Sequence, residues 1–158
     1  MSAEGFSGSE RETEELGRKL ARTLGVEEVV YLVGELGAGK TCFARGVALE
    51  LGASAREVAS PTFALLHEYA GPAGRVVLRH LDLYRLADDP GELEPLGLPD
   101  SVAGAPVLVE WPNRALRTVL PPHREVAIAF AGEGRRAIAV RPGDRAAAPS
   151  DTPPRRDR

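Results

Sequence analysis

The chain has 158 residues, a formal net charge of −3 and a single cysteine, Cys42. This length fits one domain, which buries about 68–70% of the surface that its unfolded chain exposes, so a core can form without disulfides. No segment approaches about 18 continuous apolar residues, which excludes a membrane span, and the N-terminus lacks a signal-peptide pattern. Basic residues do not cluster before the C-terminal end, so stand-alone nucleic-acid binding is not expected. The composition indicates a cytoplasmic globular protein.

The N-terminal part of the chain predicts a disordered leader followed by a helix. Residues 1–8 carry no periodic apolar pattern. Ser9 and Glu12 then form a capping-box pattern, in which each side chain accepts a hydrogen bond from the other residue's backbone N–H. Leucines follow at every fourth position, and a glycine stands after the last of them. This spacing predicts a helix over 10–24.

A glycine-rich segment lies between a predicted strand and a predicted helix. The apolar run VVYLV at 29–33 is typical of a buried strand. GELGAG follows it, and residues 40–51 repeat apolar side chains at helical spacing. The chain is therefore predicted to pass from strand through a glycine loop into a helix between residues 29 and 51.

The second half of the domain predicts two hairpins, a short helix and another buried strand. The hairpin strands are expected within 60–69 and 76–86, and within 125–130 and 136–140, because glycine-containing turns separate them. The helix is expected from Pro90 to about Leu96, and the strand at 107–111. Strands alternating with helices predict a three-layer α/β fold with a mixed parallel and antiparallel central sheet. The ordered domain is expected over 9–140, with a disordered Ala/Pro/Arg-rich tail over 141–158.

GELGAGKT, residues 34–41, matches the phosphate-binding pattern G-x-x-x-x-G-K-[S/T] in full. Glycines let this loop turn closely, so that backbone N–H groups and the positive end of the following helix face phosphate oxygens. Lys40 would reach the β- and γ-phosphates, and the Thr41 hydroxyl would bind Mg²⁺. The sequence thus predicts a P-loop NTPase-like fold that binds ATP and Mg²⁺. The expected nucleotide contacts in the loop are Gly37, Ala38, Gly39, Lys40, Thr41 and Cys42.

Two acids at predicted strand ends are the candidates for catalysis beside Lys40. Asp82 follows the run VVLRHL, and Glu110 follows VLV. One acid would hold Mg²⁺, directly or through water, and the other would polarise the attacking water. The residues alone do not decide which acid holds Mg²⁺ and which one polarises the water. Either one could also be an ordinary surface residue at the end of a strand.

Four further side chains have both a functional and a structural interpretation. Thr62, after Pro61, could aim its hydroxyl at the metal or the γ-phosphate, although such Ser/Pro/Thr clusters are more often simple turns. His67 and His80 lack partner spacing for a metal and are interpreted as hairpin side chains. Trp111 is interpreted as a core residue, with a place in the wall of the site as the alternative.

Taken together, GELGAGKT, SPTF, HLDLYRL and VEWPNR resemble the TsaE family in order and spacing. Its members are bacterial P-loop ATPases of tRNA N6-threonylcarbamoyladenosine (t6A) synthesis. The resemblance covers roughly residues 9–140. The chain departs from the usual family pattern at Cys42, where a threonine is common, and at Leu81, where an aromatic residue is common.

The resemblance implies a role for each matching residue. Lys40 and Thr41 keep the roles of the P-loop, and Glu110 matches the Mg²⁺-associated glutamate. Asp82 matches the essential aspartate, and Thr62 lies where the family has a switch-like threonine.

The resemblance also implies partners and two peripheral contacts. Glu10, at the start of the first helix, and Arg135, in the last hairpin, are expected to approach the nucleotide. A member of this family does not modify tRNA itself. It binds TsaB and TsaD and supports repeated turnover by TsaD, so tRNA is contacted only indirectly through the complex.

Two other functions stay open on the sequence. One is a P-loop kinase of a small molecule, which would need a lid with paired arginines. The other is a nucleotide-dependent binding module, which would not need Asp82 or Glu110. A GTPase is less favoured, because the chain lacks the guanine-reading N-K-x-D motif.

Overall fold

A computed structural model describes residues 3–59 and 64–145, and it forms one seven-stranded sheet between two helical layers. The strands are β1 (Ala3–Ser7), β2 (Val29–Val33), β3 (Leu66–Ala70), β4 (Val76–Asp82), β5 (Val107–Glu110), β6 (Arg124–Phe130) and β7 (Arg136–Pro142). The helices are α1 (Glu10–Ala21), α2 (Lys40–Glu50), α3 (Ala55–Ala59), α4 (Pro90–Leu93) and α5 (Arg114–Val119), with 3-10 turns at Glu94–Leu96 and Asp100–Val102. Within the described ranges no helix combines the length and the apolar character that a membrane crossing requires.

The sheet order is β1-β7-β6-β2-β5-β4-β3. The four central strands, β6, β2, β5 and β4, are parallel to one another. Strands β1 and β7 on one side and β3 on the other pair antiparallel. This arrangement confirms the predicted three-layer α/β fold with a mixed sheet. Because β4, β2 and β5 run in the same direction, their carboxyl ends meet at one edge of the sheet.

The central strand β2 is buried on both faces, which explains its unbroken apolar sequence. On one face Val30 and Leu32 pack with Phe43 of α2 in the larger core cluster. On the other face Tyr31 packs with Leu116 of α5, and its hydroxyl donates to the carbonyl of Leu120. The alternation of side chains along one strand therefore joins both helical layers to the sheet.

Helix α1 begins where the sequence predicts but ends three residues earlier than the predicted Leu24. The Ser9 hydroxyl accepts from Glu12 N at 3.2 Å, while the Glu12 carboxylate accepts from Gly8 N at 2.7 Å, one residue before the expected partner. After the helix, the N–H groups of Thr23 and Leu24 bond three residues back instead of four, as in a tighter 3-10 turn.

Several elements differ from the sequence predictions. Ala3–Ser7, expected within a disordered leader over 1–8, form β1 and pair with β7. At the other end β7 extends to Pro142, beyond the predicted domain limit at residue 140. The short helices α3 and α5 were not predicted. Thr62 and most of the predicted tail lie outside the described residues, so those predictions stay predictions.

Helices α1 and α2 approach until their backbones touch at two glycines. A Cβ added at Gly46 would lie 1.9 Å from the carbonyl oxygen of Glu14, and one added at Gly17 would lie 2.2 Å from that of Phe43. This contact sets the position of α2, and therefore of the loop that leads into it.

We expect Gly46→Ala to destabilise the protein by roughly 1–3 kcal/mol, because the added methyl group overlaps a backbone atom and must push the helices apart. The higher helix propensity of alanine, about 1 kcal/mol, opposes this effect only in part. The measurement is urea unfolding followed by circular dichroism. Gly25→Ala is the control, since its nearest new contact is a side-chain oxygen at 3.6 Å. Equal stability of Gly46→Ala and wild type would contradict the close packing.

Candidate functional site

The loop between β2 and α2 is shaped by glycines and by the start of the helix. A Cβ at Gly34 would lie 2.3 Å from the carbonyl oxygen of Ile128, so only glycine lets the loop pass β6 there. Gly39 precedes α2 with φ of 114°, in the left-handed region, and provides no side-chain cap. The first N–H groups of α2 are consequently left without a capping side chain, at the positive end of the helix.

Lys40 is enclosed at the first position of α2 with only 5% of its surface exposed. Its Nζ donates to the carbonyl oxygens of Gly34 at 2.6 Å and Glu35 at 2.9 Å. It also lies 4.1 Å from the centre of the Trp111 ring, a cation–π distance. Burial lowers the pKa of Lys40 below its ordinary value, while the charges of Glu110 and Asp82 act in the opposite direction.

The two candidate acids are direct register partners on β4 and β5, as Asp82 is opposite Glu110. Their environments differ. Glu110 is 4% exposed, and its Oε1 lies 3.1 Å from Nε2 of His80. Asp82 is exposed, and its Oδ1 accepts from Tyr84 N at 3.0 Å. The structure thus brings one buried and one exposed carboxylate to the edge of the sheet beside the loop.

These groups line a cleft of about 340 Å³. Its floor is the loop and the start of α2, and its wall includes the ring of Trp111, which lies 5.0 Å from the ring of Tyr84. A second cavity of about 640 Å³ lies beside it and shares Thr41, Arg45, Asp82 and Glu110. Trp111 has φ of 54°, so its backbone takes a left-handed conformation that is unusual for a bulky residue.

Comparison with known proteins gives a consistent family assignment. Residues 7–138 match the family described as "Threonylcarbamoyl adenosine biosynthesis protein TsaE". The chain belongs to the TsaE family.

Individual TsaE relatives match over most of the chain. It is 38% identical to the tRNA threonylcarbamoyladenosine biosynthesis protein TsaE of Treponema pallidum, covering 85% of this chain and 96% of that protein. It is 40% identical to the protein of the same name from Bacillus subtilis, with 80% and 77% covered. The crystal structure of Bacillus subtilis YdiB superposes with a TM-score of 0.67 at 26% identity, covering 89% of this chain and 84% of that one.

Most of the residues predicted for the site in this TsaE-family chain meet in the first cleft. They are Glu10, Gly37, Gly39, Lys40, Thr41, Cys42, Asp82 and Glu110. Ala38, also a loop residue, is fully buried. The Sγ of Cys42 donates to the carbonyl oxygen of Glu10 at 3.0 Å, and burial raises the pKa of this thiol. Thr62 is outside the described residues.

The last hairpin reaches the loop through Arg136, the neighbour of the predicted Arg135. Nε of Arg136 donates to the carbonyl oxygen of Ala38 at 3.1 Å. The guanidinium of Arg135 instead lies 5.4 Å from the ring of Phe6. The approach of Arg135 to a nucleotide stays a prediction, and Arg136 is the hairpin residue that contacts the loop.

Sequence reasoning also missed the contact of His80 with Glu110 and the presence of Arg45 and Tyr84 at the cleft. The sequence contains a pattern that could have placed His80 at the site. It stands two residues before Asp82, and side chains alternate along a strand. It therefore shares a sheet face with the predicted acid.

We expect Arg136→Gln to make the backbone of residues 35–39 open more readily. A hydrogen bond from a charged donor contributes about 1.5–3 kcal/mol, and 1.4 kcal/mol changes an equilibrium by about tenfold. Hydrogen–deuterium exchange of peptides covering the loop should therefore be about tenfold faster. Arg135→Gln is the matched control, because Arg135 contacts Phe6 and not the loop. Equal exchange in both variants would show that Arg136 does not hold the loop.

Proposed function

We propose that this chain binds ATP with Mg²⁺ at residues 34–41, hydrolyses it, and thereby supports t6A modification of tRNA. The observation that carries the proposal is the convergence of three groups at one edge of the sheet. Lys40 is enclosed at the start of α2, and the register partners Asp82 and Glu110 line the same cleft.

The loop has the donors that a polyphosphate requires. The first turn of α2 offers N–H groups without a side-chain cap, and the helix dipole favours negative charge there. Lys40 adds a full positive charge, and an ammonium can exchange its bonds to Gly34 and Glu35 for stronger bonds to phosphate oxygens. Gly37 lines the same cleft, and its φ of 77° lies in the left-handed region that favours glycine.

The oxygen atoms near the loop fit Mg²⁺. In phosphoryl-transfer sites this ion is usually held by one or two carboxylates together with substrate phosphates, not by a full set of protein ligands. Thr41, Glu110 and Asp82 line one cleft and supply oxygen ligands of this kind. In this proposal Thr41 and Glu110 hold the ion, which would neutralise charge that develops on the phosphoryl oxygens.

The different surroundings of the two acids favour a division of labour. Glu110 is buried and hydrogen-bonded to His80, so its orientation is restricted, as suits a metal-associated carboxylate. Asp82 is exposed at the mouth of the cleft and can accept a proton from a water that attacks the γ-phosphate. The rings of Trp111 and Tyr84, 5.0 Å apart, line the same cleft.

The biological role follows from membership of the family. The relatives are named as tRNA threonylcarbamoyladenosine biosynthesis proteins. In this proposal the chain does not transfer the threonylcarbamoyl group. Its ATP cycle drives turnover of a TsaB–TsaD complex, and tRNA is contacted through that complex.

We expect Lys40→Ala to lower ATP affinity by at least about tenfold and to abolish measurable hydrolysis, since each charge-assisted bond to phosphate contributes roughly 1.5–3 kcal/mol. Calorimetric titration with ATP and Mg²⁺ measures the affinity, and phosphate release measures the rate. Lys19→Ala is the control, because Lys19 is the other lysine of the chain and lies on α1. Wild-type affinity and rate in Lys40→Ala would remove the loop as the active site.

We expect hydrolysis to be weak in the isolated protein and faster after addition of TsaB and TsaD. The measurement counts t6A formed per TsaD in a reconstituted reaction with tRNA, alongside ATP hydrolysis. More than one t6A per TsaD should require this chain and should be lost with Lys40→Ala. If the TsaB–TsaD pair neither binds the chain nor changes its hydrolysis, the proposed role in t6A synthesis fails, while nucleotide binding is judged separately by the titration.

A further inference from the structure

His80 lies where it can control the orientation of a buried carboxylate. It is on β4, two residues before Asp82 and on the same face of the strand, and it is opposite Leu108 of β5. Its Nε2 lies 3.1 Å from Oε1 of Glu110, and the side chains of the two residues are 14% and 6% exposed. Most of this hydrogen bond is therefore shielded from solvent.

The chemistry of the two groups defines which of them donates the hydrogen bond. An ionised carboxylate only accepts, so Nε2 of His80 must donate when Glu110 is ionised. Oε1 is then occupied by the imidazole, and the second oxygen, Oε2, is left for another ligand. The carboxylate cannot rotate freely without breaking a largely buried hydrogen bond.

His80 also has neighbours on β3. On its other side β4 pairs with β3, where His67 is the register partner of His80 and packs edge-to-face on Tyr69 with ring centres 4.3 Å apart. His67, Tyr69 and His80 line the second cavity together with Glu110, so the hydrogen bond to Glu110 is a contact that orients the imidazole there.

We infer that His80 is a positioning residue for the Mg²⁺ site: its Nε2–H holds Glu110 so that one carboxylate oxygen faces the metal beside Thr41. The inference rests on the proposed nucleotide and Mg²⁺ site and adds a residue to it. Hydrogen-bond partners of metal ligands typically change metal affinity by about 10–100-fold when they are removed.

The test measures Mg²⁺ dependence of ATP binding by equilibrium dialysis with the full chain, using a non-hydrolysable ATP analogue as the ligand so that the result does not depend on hydrolysis. We expect His80→Leu to raise the Mg²⁺ concentration needed for half-maximal ATP binding by about tenfold or more, with unchanged ATP binding in EDTA. His80→Gln should restore most of the loss, because its amide nitrogen can reach the position of Nε2. His67→Leu is the matched control and should behave as wild type.

A double mutant separates positioning from a general effect on packing. If His80 acts through Glu110, then adding His80→Leu to Glu110→Ala, which removes the acceptor, should produce no further change in Mg²⁺ dependence. Additive effects would overturn the inference, as would a folded His80→Leu protein with the wild-type Mg²⁺ requirement. A folded His80→Gln protein as impaired as His80→Leu would also overturn it.

Two further comparisons cover a variant that does not fold and a wild type that does not respond to Mg²⁺. If thermal unfolding shows that His80→Leu does not fold, the comparison is His80→Asn against His80→Gln, because the shorter amide does not reach Glu110. The inference then requires that only the glutamine variant keeps the wild-type Mg²⁺ requirement. If wild type itself shows no Mg²⁺-dependent ATP binding, the proposed function fails, and the inference fails with it.

Discussion

The arrangement of the site depends on a buried ammonium group that contacts two carbonyl oxygens and an aromatic face. An uncompensated charge in a protein interior is costly, so Lys40 must be surrounded by groups that stabilise it. It has two loop carbonyls within hydrogen-bonding distance, and the face of Trp111 at 4.1 Å. These contacts close the loop around the side chain. They also connect Trp111, which directly follows β5, to the start of α2.

Parallel strands then explain why the acids are found at the same place. The loop leaves the carboxyl end of β2, and β5 and β4 follow in the sheet order. Asp82 and Glu110 are the last residues of β4 and β5, and they are paired in register. Parallel pairing therefore brings the carboxyl ends of three strands together. In an open α/β sheet, ligands usually bind at this end of the strands. The burial of one acid and the exposure of the other follow from their positions, since β5 is internal to the sheet and β4 is next to its edge strand.

Much of this could be predicted, because the signals are local. The phosphate-binding pattern lies between a strand and a helix over 29–50, and both hairpins carry glycine turns that mark their position. The elements that were missed depend on distant partners. Strand β1 is stabilised by pairing with β7, with Ala3 opposite Val140, and nothing within residues 1–8 indicates that partner. The contact of Arg136 with the loop also depends on a distant partner, because Arg136 is the first residue of β7 and its side chain reaches the carbonyl of Ala38.

The contact of Arg136 has a consequence for how the site forms. The eight residues of the loop are contiguous, yet the carbonyl of Ala38 is bonded by a side chain 98 positions later. That side chain is on β7, which reaches β2 only through β6, and Gly34 packs against the carbonyl of Ile128 on β6. On the opposite side of β2, the orientation of Glu110 depends on β4 through His80. The phosphate loop is therefore held from both halves of the sheet. The motif that is easiest to recognise in the sequence therefore owes its geometry to contacts of high sequence separation with strands on both sides of β2.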